Sequence, residues 1–502
     1  MMIRSAIGAS CMAAAIAATG TSAKAGPEDD TIRWSSDTMD SSLDFYEHNG
    51  RTGRIIADHV WDPLIYREPN TGQFEPHLAE SWEFTDDTTI EFKLREDVTF
   101  HNGEQLTADD VVFTVDYVTS NTLPRDMSFI SGAEKIDDYT VRIFLPEAFP
   151  PVLEYIATTL KIYPSEYFAE VGTEGMSREP IGSGPYRVTN VSPGESVAME
   201  KYDDYFGGTK GMPTIGTVEF RFMGEFNTQA VELMTGDLDW IWRVPPDARE
   251  RLENADGIAV ESGEILRFGF LKMDAAGRTG DTPFQDVRVR QAVNHAIDRE
   301  GIRAAMMGPG SNLINAACAP IQFGCDQDVA VEYEYDPDRA RELLAEAGYE
   351  DGFSTPFYVF GQRPIAEAVI GDLNAVGIDA QLNFVQWSAL SERTRAGETP
   401  FWFQTWGSSS IGDVIASTGH WFRHSDDDYA RDDDVLAYMD EGNTMDQDAR
   451  LEAYRNALRI ISEEAYIVPL FTFALTYAHH EQLEFEPMPD EIPRFYRARW
   501  ID

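Results

Sequence analysis

Residues 364–406 read PIAEAVIGDLNAVGIDAQLNFVQWSALSERTRAGETPFWFQTW, and the changing period of their apolar positions decides the fold class. Ile365, Val369, Leu373 and Val376 recur at helical spacing, and Gly377 stops the run. Ile378, Ala380, Leu382 and Phe384 then alternate, as in a half-buried strand. A short helix is predicted over residues 387–396. A buried strand is predicted from Phe401, where Phe401, Trp402, Phe403, Thr405 and Trp406 carry the aromatic and β-branched bias of a strand. Upstream, residues 335–348 predict another helix, with Asp336 as its cap, Pro337 at its first position and Gly348 at its end. Strands alternating with helices in this way predict a largely parallel, layered α/β lobe with right-handed crossovers.

The strand at 401–406 opens into Gly407, three serines (Ser408, Ser409 and Ser410) and then Asp413, with Trp421 and Phe422 beyond. Small hydroxyls, a carboxylate and aromatics at a strand end suit a polar ligand cleft; a core strand followed by a surface loop fits the same residues. Val289, Ala292, Val293, Ala296 and Ile297 form one helical stripe within residues 286–306. The chain before Asp274 is richer in hairpins. There Ile90, Phe92 and Leu94 alternate, and Thr107 with Asp110 forms a capping box ahead of Val111, Val112, Val115 and Val118. The two unlike halves join near residues 275–284, which are rich in Gly, Thr and Pro.

The 502 residues exceed what one core organises. Forty basic against 87 acidic side chains give a formal charge of −47, which excludes nucleic acid as a partner and predicts a solvated acidic surface, as a saline habitat would favour. Arg4, the small and apolar run 7–19 and Ala23-Lys24-Ala25 read as a secretory signal cleaved near Ala25, and hence as an exported, periplasmic protein. No later run reaches the ~20 apolar residues of a membrane span. In an oxidising compartment Cys318 and Cys325 are expected to form a disulfide; a metal pair is the alternative.

No nucleophile elbow, H-E-x-x-H or phosphate loop is present. Gly182-Ser183-Gly184-Pro185 reads as a turn. His420 and His424 share a helical face if that segment is helical, and are solvated if it is a loop. Trp240 and Trp242 fall on one face of a strand, either paving a cleft wall or packing into a core. Trp387 sits at a strand-to-helix turn, where open α/β sheets place ligands. Arg363 could clamp a carboxylate or stand at the surface.

Five segments carry a resemblance in the same order along the chain. They are LAESWEFTDDTTIEFKLREDVTFHNGEQLTADDVVFTVDYV (78–118), IGSGPYRV (181–188), LMTGDLDWIWRVPPD (233–247), DVRVRQAVNHAIDRE (286–300) and YDPDRARELLAEAGY (335–349). Together the chain resembles the peptide/nickel class of extracytoplasmic solute-binding proteins of ABC importers, also called family 5. The resemblance implies an α/β, two-lobed periplasmic-binding-protein fold of class II (cluster C-like), with mixed sheets and a hinge. It implies a first lobe over 26–274 with a subdomain inserted at about 70–180, a second lobe over 275–470, and a return of 471–502 to the first. It further implies no catalysis and no cofactor. The expected partners of this monomer are a small solute and a membrane permease with its ATPase.

In dipeptide- and oligopeptide-binding members of that class, a tryptophan, one or two small residues and an aspartate follow one another, and the aspartate pairs with the ligand's amino group. Matching Trp406 to that tryptophan puts Ser408 and Ser409 where the aspartate falls, with Asp413 the nearest carboxylate. The expected ligand-binding set is Trp387, Trp406, Ser408, Ser409, Asp413 and Arg363 from the second lobe, with Met39, Trp240 and Trp242 from the first. A peptide or peptide-like amino compound is the expected solute. Quaternary-ammonium, sugar-oligomer and metal-chelate solutes stay open, as does a secreted hydrolase.

Overall fold

The computed structural model describes residues 26–48, 50–123 and 127–501, so the expected signal segment and Ala25 lie outside the described residues. The period changes in 364–406 become regular structure almost where they were read. Helix Arg363–Ala375, strand Ile378–Phe384, helix Trp387–Arg395 and strand Phe401–Trp406 follow one another, preceded by strand Phe353–Val359. Phe353–Val359 pairs in parallel with both Ile378–Phe384 and Phe401–Trp406. Ile365, Ala366, Val369 and Leu373 form the buried face of the first helix. The chain passes tightly here: a Cβ on Gly352 would lie 2.0 Å from the Gly377 carbonyl oxygen.

These three strands form one end of a ten-stranded sheet. From that end its order is 378–384, 353–359, 401–406, 258–273, 467–480, 240–242, 31–36, 217–222, 196–201 and 186–192. The two long central strands, Ile258–Met273 and Ile467–His480, run antiparallel through both lobes. Phe268–Met273 borders Phe401–Trp406, whereas Tyr477–His479 borders Trp240–Trp242. Their mutual register is interrupted between Glu264 and Phe268.

A separate antiparallel sheet is ordered 79–86, 89–94, 140–144 and 132–137. Helix Ala108–Ser120 starts with the capping box read from Thr107 and Asp110; the Thr107 N–H donates to Asp110 Oδ2 at 2.9 Å. The other carboxylate oxygen of Asp110 accepts from the Ser165 backbone N–H and hydroxyl, which ties helix Ser165–Arg178 to the same point.

One expectation changes. The single stripe of 286–306 is split into helices Val287–Ala296 and Arg299–Met306, because Asp298 starts a new helix by accepting from the Gly301 N–H at 2.8 Å. The Gly182–Pro185 turn has a packing cause: added Cβ atoms at Gly182 and Gly184 would lie 2.0 and 2.4 Å from the carbonyl oxygens of Val60 and His59. Cys318 and Cys325 are disulfide-bonded.

The C-terminal segment docks on a buried charge cluster. Arg494 pairs with Asp490 at 2.6 Å, the Tyr496 hydroxyl donates to Asp58 at 3.0 Å, and Lys210 pairs with Asp62 at 2.8 Å. Burial alone would raise the Asp58 carboxyl, but Lys210, Lys161 and Arg494 hold it well below the usual range.

Candidate functional site

A cavity of about 1040 Å³ separates the lobes. Its lining takes in the stretch after strand Phe401–Trp406, together with Phe360 and Trp387, and, from the N-terminal half of the chain, Arg51, Arg54, Phe149, Tyr155 and Arg243. Arg267 on the crossing strand and Glu491 on the returning segment line the cavity as well.

Trp406 lies on this wall. Its indole N–H donates to the Ala416 carbonyl at 2.8 Å, and its ring stacks on His420 with centroids 4.8 Å apart and planes 16° apart. Burial lowers the His420 pKa, although Asp427 opposes this, so the imidazole facing Trp406 is biased toward its neutral form. Trp387 is 42% exposed and stands 5.7 Å from Phe360 on the same wall. Ser408 lines the cavity in a left-handed conformation (φ +50°), and its hydroxyl accepts from the Gln322 side chain at 2.9 Å. Ser409 belongs to the turn Ser408–Ser410, but its side chain lies outside the described residues.

The other candidates stand elsewhere. Asp413 is buried, 2.6 Å from Arg450, and its second oxygen caps the Ile415 N–H at 3.0 Å. Burial raises its pKa even against the pull of Arg450. It is therefore no free carboxylate facing the cavity. Trp240 and Trp242 share a strand face, as their spacing requires, and that face points into the core: both are buried, and Trp240 packs against Trp34, Tyr477, Phe485 and Phe495. Trp242 does carry the guanidinium of Arg243, 4.2 Å above its ring. Arg363 is exposed and pairs with Glu367 at 2.7 Å rather than lining the cavity. Met39 lines a different cavity of about 460 Å³, beside Asp40, Leu43 and Ser177. His424 is directed to Asp433 at 3.6 Å, and no group of three or more His, Cys, Asp or Glu side chains converges as a metal site among the described residues.

What sequence reasoning missed is the charge of the site. Among the described residues five arginines (51, 54, 243, 267 and 423) line the cavity against one carboxylate, Glu491. Arg51 donates to Ser410 Oγ at 2.7 Å and to the Asp490 carbonyl at 2.8 Å, joining the lobes at the cavity floor. Beside it the Gly412 N–H donates to Glu154 at 2.6 Å, and Glu154 also pairs with Arg67 at 2.6 Å. Burial pushes the Glu154 carboxyl up to about 7 despite these partners. One signal for the site was present in the sequence: Arg267 interrupts an otherwise apolar run, ILRFGFL, in a strand that had to be central.

Residues 73–429 match the family described as bacterial extracellular solute-binding proteins, family 5 middle. The chain is 28% identical over 488 residues to the glutathione-binding protein GsiB of Escherichia coli K12, covering 90% of each chain. It is 27% identical over 491 residues to the dipeptide-binding protein of the same strain, covering 88% of each. The solved structure of HbpA2 from Haemophilus parasuis superposes with a TM-score of 0.84 at 25% identity, over 94% of this chain and 99% of that one. Among the described residues no helix is long and apolar enough to cross a membrane. An α/β fold of two lobes joined by continuous strands, a cavity walled by both, and a match over most of the chain lead to one conclusion: this chain belongs to the bacterial extracellular solute-binding proteins of family 5.

Proposed function

We propose that the chain works in the periplasm as a monomer, captures a polar peptide-like or amino compound between its lobes, and delivers it to an ABC permease and its ATPase. The observation that carries this reading is the interlobe cavity of about 1040 Å³, whose aromatic walls (Trp387, Trp406, Phe149) alternate with oriented polar groups. The likeness to glutathione- and dipeptide-binding relatives supports the peptide-like class. We place the lobe limits near residues 274 and 471. We place the bend inside the long strands, at the interrupted pairing between Glu264 and Phe268, where fewest ladder bonds resist rotation. The arginine lining disfavours a quaternary-ammonium solute, since like charges would meet in a partly desolvated space.

A thermal-shift screen over peptides, amines, sugars and organic acids tests the reading. A true solute raises stability by RT ln(1 + [L]/Kd) and contracts the molecule in small-angle scattering. A protein that no solute stabilises or contracts would overturn it.

A further inference from the structure

Resting on the solute-binding reading above, we propose that the solute carries at least two anionic groups, carboxylate or phosphate, and needs no free amino group.

The first support is the sign of the cavity. In a chain of net charge −47, with more than twice as many acidic as basic residues, the described lining of the cavity inverts the balance to five arginines against one carboxylate. The arginines come from separate stretches: residues 51 and 54 on one helix, then 243, 267 and 423. A concave, low-dielectric wall concentrates such a field, and guanidinium forks bind planar oxyanions in bidentate fashion.

The second support is the poor internal neutralisation of Arg51, Arg243, Arg267 and Arg423. Glu491 lies 3.8 Å from Arg51 and 3.6 Å from Arg267, so one carboxylate serves two guanidiniums and neither contact is within hydrogen-bonding distance. Arg243 and Arg423 reach Asp37 at 3.4 Å and Asp440 at 3.6 Å, in pairs whose acidic partners are exposed and solvent-screened, so each offsets little of the arginine's charge. The third support is strain. Arg243, Ser408 and Glu491 all have positive φ (+54°, +50° and +61°), although none is glycine. Such conformations persist where the surroundings over-determine them, and here they fix a guanidinium, a hydroxyl and the Glu491 carboxylate around one space.

The arrangement also sorts the ligand's own charges. Among the described lining residues the one carboxylate that an ammonium would meet is Glu491, already held between two arginines. Asp413, the nearest carboxylate in the strand-end segment, is spent on Arg450. Ser408 offers a hydroxyl, not a charge. Two oxyanions, by contrast, find separate hosts: one at Arg51 and Arg267, and one at Arg423 beside His420 and Trp406.

The test is isothermal calorimetry and thermal shift on the full exported protein with a charge series: Glu-Glu, N-acetyl-Glu-Glu, Gln-Gln, Lys-Lys and O-phosphoserine, inside a broader set of neutral, cationic and anionic solutes. The strongest binders should be dianionic, blocking the amino group should leave their affinity within a few-fold, and raising salt to about 0.5 M should weaken it. Arg267→Met should weaken the best anionic probe at least tenfold while the unliganded melting temperature holds, with Arg267→Lys recovering part of the loss. If Arg267→Met does not fold, Arg423→Met carries the same expectation. A neutral or cationic solute as the best binder, an absolute need for the free amino group, or unchanged affinity in the arginine variants would overturn the proposal and leave the solute-binding reading standing. A protein that binds no solute of any charge would overturn that reading, and this proposal with it.

Discussion

Arg450→Met asks whether Asp413 is structural or a ligand contact. The two groups meet at 2.6 Å with both side chains only 6% exposed, and Arg450 also donates to the Tyr454 hydroxyl at 3.2 Å. Removing one partner of a buried pair leaves an uncompensated charge and costs roughly 3–5 kcal/mol. With a urea slope of about 3 kcal/mol/M, the unfolding midpoint should fall by about 1–1.7 M. Asp413→Asn keeps the oxygen that caps Ile415 while removing the charge. The double variant Asp413→Asn/Arg450→Met should therefore cost less than the sum of the single losses, by roughly 2 kcal/mol or more. The pH dependence has a definite sign. Burial already raises the folded-state pKa of Asp413, so its contribution is fullest below the unfolded carboxylate value and declines as pH rises through the folded one. Without Arg450 that upward shift grows, and the penalty should be larger at pH 7 than at pH 4. Urea titrations followed by tryptophan fluorescence measure the stability, and calorimetry measures the affinity. An Arg450→Met protein with an unchanged midpoint but lost solute binding would refute the structural assignment.

Three further substitutions probe other parts of the chain. Trp406→Ala removes the cavity wall that stacks on His420, and should abolish the solute-induced fluorescence change and weaken binding at least tenfold, ~1.4 kcal/mol; unchanged affinity would remove Trp406 from the site. Burial lowers the Lys272 pKa to about 7, against the pull of Asp428 and Asp427, in a box of Trp402, Trp421 and Phe422. The unfolded chain then binds the extra proton between about pH 7 and 10.5, so stability should rise with pH across that window. Lys272→Met should flatten the rise and lift the midpoint at pH 7; a rise of the same size in the variant would show that another group causes it. Gly182→Ala puts a methyl 2.0 Å from the Val60 carbonyl oxygen, and should cost about 1–3 kcal/mol or more; a wild-type melting curve would show that the turn has room to move.

Local period made the second lobe legible. Helix Arg363–Ala375, of 13 residues, and strand Ile378–Phe384, of 7, differ in spacing, and a tight turn at Gly377 separates them. The capping box at Thr107 was readable because both partners lie within one helical turn. The tryptophan pair at 240 and 242 marks the limit of that method. Their shared face followed from strand geometry, but whether the face met the core or the cleft depended on Trp34, Tyr477 and Phe495, which the chain brings in from both ends.

By itself the sequence determined the alternation of helices and strands, the family to which five ordered segments point, and the aromatic strand that ends in Ser408, because each rests on neighbours in the chain. Only the tertiary structure decided what that strand end faces. It withdrew Asp413 into a pair with Arg450, a residue 37 positions away, and assembled arginines from positions 51 to 423 around the space that Trp406 overlooks. The physical reason is that charge acts through distance in space, whereas spacing along a chain records only the local geometry that hydrophobic burial imposes.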